Sequence, residues 1–268
     1  MSLFETRVDW TALGDALMRV ERLTHEDSGL LAFGLQQSGG IFVEKGRVCW
    51  VAARGLGRRL RDLILLHSSV DPEALERVCE RCRLENRPVG QTLVAEGLVR
   101  AEELERALRH HSAECLLELC RSPLPTRWAS HAGPGYAPRF TFRPVDLLLD
   151  TVGACFPERR LEATSELSAL AGPGRKAAAF VFDPTSDGLL PVAEVGGLGI
   201  EALRLLGRFA TSLPHASLEL AAAPTFTLAS TETGESILVW WREGLLFAVR
   251  CEDRACLAAV TSRHLASA

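Results

Sequence analysis

Residues 29–55 read GLLAFGLQQSGGIFVEKGRVCWVAARG. Leu31, Phe33 and Leu35 alternate, and Ser38-Gly39-Gly40 turns the chain. Ile41 and Val43 alternate next, and Lys45-Gly46 turns it again. Val48, Trp50 and Ala52 alternate in a third run. Apolar residues at every second position, bounded by glycine turns, specify strands joined as hairpins. Glycine takes the left-handed backbone angles of such turns without steric cost. The stretch therefore predicts a three-stranded antiparallel meander with Val48, Trp50 and Ala52 on its apolar face. A sheet with one apolar face must be covered.

The flanking segments supply the cover. Over residues 8–23, Trp10, Leu13, Leu17 and Val20 recur at helical spacing. Beyond the meander, Leu56, Leu60, Leu63, Ile64 and His67 mark one face of a second helix. Arg58, Arg59, Arg61 and Asp62 mark its solvated face. Asp71-Pro72-Glu73 starts a third helix: an acid at the N-cap, proline at the first position and an acid in the first turn. It runs to about Glu85. Pro88 opens a short helix that Gly97 closes, and a long one follows over about 100–121. These three form a bundle inserted after the meander. Ser122–Pro138 is loop with a strand at Thr126–Ser130. PRFTFR (138–143) alternates Phe140 and Phe142 and is expected to extend the sheet. A helix over 144–155 shows Val145, Leu148, Leu149 and Val152 on one face.

Two resemblances arise in this half. VGQTLVAEGLVRAEELERALRHH (89–111) resembles the small helical modules at the N-termini of bacterial secretion and pilus ATPases. The wider region, about 10–155, resembles the PATAN-type domain of bacterial signalling proteins. The residues that carry it are the opening helix, Gly29-Leu30-Leu31, the turn Glu44-Lys45-Gly46-Arg47, Val48–Ala53, Gly57 and the closing FTFRPVDLLLD. PATAN-type domains often stand beside response-regulator receivers or GTPase-related modules. The resemblance implies protein–protein interaction and brings no active-site residues.

The second half reads helix, two strands, helix, three strands, helix. The helix 158–171 is broken by Gly172-Pro173-Gly174. AAAFVFD (177–183) and LLPVAEV (189–195) flank a turn at 184–188. A helix over 200–212 has Leu203, Leu206 and Ala210 inward. TFTLAST (225–231), SILVWWR (236–242) and LLFAVR (245–250) follow, then a helix from Asp253 to about Leu265. This order, with AAAFVFDPTSDGLLPVA and the closing hairpin, resembles the roadblock/LC7 fold. That resemblance implies a five-stranded antiparallel sheet with helices on both faces. It also implies a homodimeric adaptor that regulates or tethers small Ras-like GTPases.

Composition bounds the chemistry. The chain has 268 residues, 47% hydrophobic, with a net charge of −4. That length suits two domains, and the charge supplies no general attraction for nucleic acid or an anionic membrane. MSLFETRVDW lacks the basic and apolar regions of a signal peptide, and no apolar run approaches the ~20 residues of a membrane span. Eight scattered cysteines suit a reducing cytoplasm.

The sharpest chemical candidate is Cys79, Cys82, His111 and Cys115, a tetrahedral zinc set if two helices brought the pairs together. Each pair also lies in an apolar helical stripe, and buried cysteine is an ordinary packing residue; packing is the reading adopted, with no metal. Gly55-x-Gly57 lacks the lysine and hydroxyl of a phosphate loop, as does Gly196-Gly197-x-Gly199; the latter precedes a helix whose amides could hold an anion. No nucleophile motif or triad order occurs, so neither catalysis nor a cofactor is expected. Trp240-Trp241 puts one indole on each sheet face; either helices cover both, or one is exposed and marks an interface.

The expected fold class is α+β. Residues 1–155 are a PATAN-like interaction domain, a meander with a helical insertion at about 71–121. Residues 156–268 are a roadblock-like domain. The expected function is a non-enzymatic cytoplasmic signalling adaptor whose partner is a small Ras-like GTPase or a response regulator. It is homodimeric, through Thr225, Phe226, Thr227 and Leu228 at a sheet edge, with Leu203, Leu206, Trp240 and Trp241 beside them. The rival is a nucleic-acid-binding transcriptional regulator that reads DNA with the 71–121 helices. Arg77, Arg81, Arg83 and Arg87 would meet phosphates, but Glu73, Glu76, Glu80 and Glu85 interleave with them, and phosphate binding rests on uncompensated positive charge.

Overall fold

The computed structural model describes residues 8–34, 39–56, 58–85, 87–121, 126–130, 135–172, 175–183, 188–212, 227–230, 235–253, 257–258 and 260–262. The chain divides into two compact units, Met1–Thr151 and Val152–Ala268. The fold is α+β, and each unit is built on an antiparallel sheet.

The first unit opens with α1 (Trp10–Glu21). The Asp9 carboxylate caps it by accepting the Ala12 amide at 2.9 Å. Three strands follow: β1 (Gly29–Phe33), β2 (Gly39–Glu44) and β3 (Arg47–Ala53). The turn between β2 and β3 takes Lys45 to φ 53° and Gly46 to φ 71°, the mirror-image turn that suits strand twist. A fourth strand, β4 (Thr126–Ser130), pairs with β1, giving the order β3-β2-β1-β4. The register aligns Trp128, Leu31, Ile41 and Val51 in one row. Leu31, Ile41 and Val51 are fully buried.

The expected face of β3 is corrected here. Val48, Cys49 and Val51 are buried, whereas Trp50 and Ala52 are half-buried. The register steps between Phe42 and Val43: Phe42 pairs with Trp50 and Val43 with Val48. Cys49 is thus the extra residue of a bulge, and a bulge reverses which parity faces inward on its two sides.

Four helices follow: α2 (Leu60–His67), α3 (Pro72–Glu85), α4 (Val89–Ala95) and α5 (Ala101–Cys120). Asp71 caps α3 by accepting the Ala74 amide at 2.8 Å. Gly97, at φ 69°, ends α4 in the left-handed conformation that glycine adopts most cheaply. Leu63, Ile64, Leu75, Val78, Leu93 and Leu104 form the heart of their shared core. The long α5 also packs along β3 and α1, joining bundle to sheet.

PRFTFR does not extend the sheet as a strand. Pro138–Phe140 is a single 3₁₀ turn, started by a proline whose ring fixes φ. Phe142 forms an isolated bridge to the sheet, exchanging backbone hydrogen bonds of 2.7 and 3.0 Å with Val48, and Thr141 accepts from the Arg47 guanidinium at 2.8 Å. The chain then enters α6 (Pro144–Cys155), which Arg109 fastens to α5 through Asp150 at 2.6 Å.

The second unit holds α7 (Pro157–Leu170), β5 (Arg175–Asp183), β6 (Gly188–Val195), α8 (Ile200–Ser212), β7 (Thr227–Ser230), β8 (Ser236–Arg242) and β9 (Leu245–Cys251). Residues 257–258 and 260–262 are helical. The strand order is β6-β5-β9-β8-β7, all antiparallel. Ala177, Ala178, Ala179 and Phe180 are consecutive and fully buried. A strand buried at successive positions is covered on both faces. One face carries the row Pro191, Phe180, Leu246, Trp241; the other carries Ala193, Ala179, Phe247, Trp240. A Cβ added at Gly207 of α8 would stand 3.5 Å from the Phe180 ring, so α8 covers the first of these faces.

Val51→Asp should lower the stability of the first unit by roughly 3 kcal/mol or more, because an unpaired carboxylate would enter a sealed row. Trp50→Asp should cost clearly less. Denaturant unfolding of both variants checks this; equal losses would contradict the bulge at Cys49.

Candidate interaction surface

The second unit's sheet ends in β6 on one side and β7 on the other. The two edges are unlike. β6 carries Pro191 and bulges at Val192, since Ala179 pairs with Ala193 and Phe180 with Pro191. Both features spoil a further ladder, since proline has no amide to donate. Both α7 and α8 also pack against β6. β7 reads TLAS, without proline, bulge or charge. Its inner side is paired to β8 from Thr227 to Ser230. Thr227 and Leu228 thus sit on an edge strand; Thr225 and Phe226 lie outside the described residues.

The neighbouring helix redistributes the other candidates. Leu203 and Leu206 are core residues, so neither is free to meet a partner. They face inward because the 3.6-residue period aligns them with Ile200 and Ala210 over the sheet. A second apolar stripe, Ala202, Leu205 and Phe209, lies around the helix at i, i+3 and i+7. Leu205 is 61% exposed, and Ala202 and Phe209 are half-buried. Trp240 is buried with its ring stacked on Phe247 at 5.4 Å. Trp241 is half-buried on the α8 face, in line with Phe180 and Leu246.

The glycine loop before α8 already holds an anion. Glu194, at the end of β6, accepts the amides of Gly197 and Leu198, each at 3.0 Å. Gly196 and Gly197 adopt φ 91° and 75°, which turns those amides toward the carboxylate. A Cβ at Gly196 would stand 2.4 Å from the Arg175 carbonyl oxygen. The amides that a phosphate would need are occupied by the chain's own side chain.

The four zinc candidates do not converge. Cys82 belongs to the helical core with Leu75, Val78 and Leu104, and Cys79 packs against it. His111 lies against β3, with its ring 4.5 Å from that of Trp50 and its Nε2 3.5 Å from Cys115 Sγ. The turn of α5 that reaches β3 is therefore not the turn that meets α3. Among the described residues, no group of three or more His, Cys, Asp or Glu side chains is placed to hold a metal. The four are packing residues. Burial pushes the thiols of Cys49, Cys115 and Cys120 up to about 12, so they remain protonated and poor nucleophiles.

The 71–121 helices carry paired charge. Arg77 meets Glu73 at 3.7 Å, Arg87 meets Glu85 at 3.3 Å, Arg61 meets Glu76 at 2.5 Å, and Arg81 meets Glu96. A groove of about 310 Å³ runs between α7 and the β8–β9 hairpin, lined by Leu161, Ser165 and Phe247. Arg242 of its lining is likewise engaged, with Glu166 at 3.1 Å. No helix among the described residues is long and apolar enough to cross a membrane.

Two arrangements here escape sequence reading: the Glu194 nest and a His67–His110 contact between α2 and α5. Neither has a motif. Glu194 sits three residues before the amide it caps, a spacing that the run of glycines obscures.

Comparison of the chain with protein-family models, with curated proteins and with solved structures finds no match.

Glu194→Ala should cost about 1.5–3 kcal/mol, the value of hydrogen bonds to a charged acceptor. Glu194→Gln, which keeps an acceptor oxygen, should recover part of the loss. Unfolding free energies of the two variants check this; a neutral Glu194→Ala would contradict a structural role for the carboxylate.

Proposed function

We propose that this chain is a non-enzymatic bacterial signalling adaptor of the cytoplasm. In this reading, residues 1–155 are a PATAN-like interaction domain. Residues 156–268 are a roadblock-like domain that pairs with a second copy of itself. The partner is a signalling protein, a small Ras-like GTPase or a response regulator.

The observation that carries the reading is the inequality of the two sheet edges. β6 carries Pro191 and a bulge, whereas β7 has neither and is uncharged. An open edge of that kind recruits another strand unless something blocks it. Two copies meeting at β7 form a symmetric, self-complementary contact. The Leu205 stripe of α8 is a second exposed apolar surface. The element order of the second unit also agrees with the roadblock resemblance. The pairing of Arg77, Arg81 and Arg87 with glutamates weighs against the nucleic-acid reading.

Sedimentation of the full chain across micromolar concentrations tests the proposal, and a dimer is expected. Adjacent residues of an antiparallel edge send their amides alternately inward and outward. Proline at one of Thr227 and Leu228 therefore removes an outward donor, and at the other an inward one. The variant that loses the outward donor should dissociate about tenfold more readily, the equivalent of about 1.4 kcal/mol for one lost hydrogen bond. Leu205→Glu should weaken the dimer as well. A wild-type monomer would overturn the pairing. A dimer indifferent to both prolines would move it to another surface.

A further inference from the structure

His67 closes α2 and His110 lies in the middle of α5. Nε2 of His67 stands 3.0 Å from Nδ1 of His110, and the rings meet edge to face with centroids 5.3 Å apart. On its other side, His110 Nε2 is 3.4 Å from Glu114 Oε1, and the same oxygen is 3.5 Å from an Arg58 nitrogen. The second Glu114 oxygen is buried without a hydrogen bond. Arg106 of α5 also faces His67, and His111 faces His110. Elsewhere on α2, Arg61 turns toward Asp62 and toward Glu76 of α3.

A gap of 3.0 Å between two ring nitrogens accommodates one proton. Two neutral rings meet that condition, since one donates and the other accepts. A pair with one added proton meets it too. With two added protons, N–H opposes N–H and two cations touch. Burial first, then the charges of His110 and Arg106, hold His67 below its ordinary 6.5. A histidine whose pKa is lowered by folding contributes stability above that ordinary value. The contribution is lost as pH falls through 6.5 toward the lowered value.

We propose that His67 and His110 form a proton-sensitive clasp that holds α2 on α5 and releases it when both rings are protonated. The clasp is independent of how the second unit assembles.

Amide hydrogen exchange on the full chain, corrected for intrinsic rates, tests this from about pH 7.5 to about pH 5.5. Protection of α2 should fall by up to about tenfold per pH unit, the slope of a single linked proton. Protection of α1 should stay level. His67→Gln and His110→Gln keep a hydrogen-bonding side chain that does not titrate, and each should flatten the α2 slope. A level α2 profile in the wild type, or a wild-type slope in both variants, would overturn the clasp. Ring resonances of the wild type give a check that needs no variant. The clasp requires the two rings to titrate as a coupled pair in two steps, and independent single-step curves would refute it.

Discussion

A sheet that does not close on itself must end, and the backbone amides along each end must be satisfied or blocked. This constraint governs the second unit. Its five strands leave two edges. On β6 the problem is met inside the chain by Pro191, a bulge, and helices on both sides. On β7 the strand offers four uncharged residues with neither proline nor bulge. The case for self-association rests on this difference in how two edges of one sheet are finished.

The same unit shows how burial limits what a surface can offer. Ala177–Phe180 is sealed on both faces, which draws α8 close enough for Gly207 to lie against the Phe180 ring. That contact commits Leu203 and Leu206 to the core. Only the stripe on the far side, around Leu205, is left for a partner. Similarly, Glu194 satisfies the loop that leads into α8, which removes an anion site and fixes the helix entry instead.

In the first unit, α5 is the shared element. One set of its residues builds the helical core with Leu104 and Ala107, and another lies along β3 with Leu116 and Leu119. Polar groups collect at the side facing α2, where His67, His110, Glu114 and Arg58 form one line of contacts. The line spans residues from two separate helices. Its effect is to tie a short helix, α2, to a long one by a contact that depends on protonation.

The sequence by itself determined the local elements. Period-2 runs marked β1, β2 and β3, apolar runs between turns marked the strands of the second unit, and period-3.6 runs with Asp71 and Gly97 as terminators marked helices. Composition alone also made TLAS an unguarded strand. Tertiary structure decided the rest. It put β7 at an edge, because strand order depends on pairings between residues far apart in the chain. It placed Cys49 in a bulge, turning Val51 inward in place of Trp50, because phase is set by the partner strand. It sent Cys82 and His111 to different surfaces and brought His67 to His110, because a periodic pattern tells which side chains leave water and never which neighbours receive them.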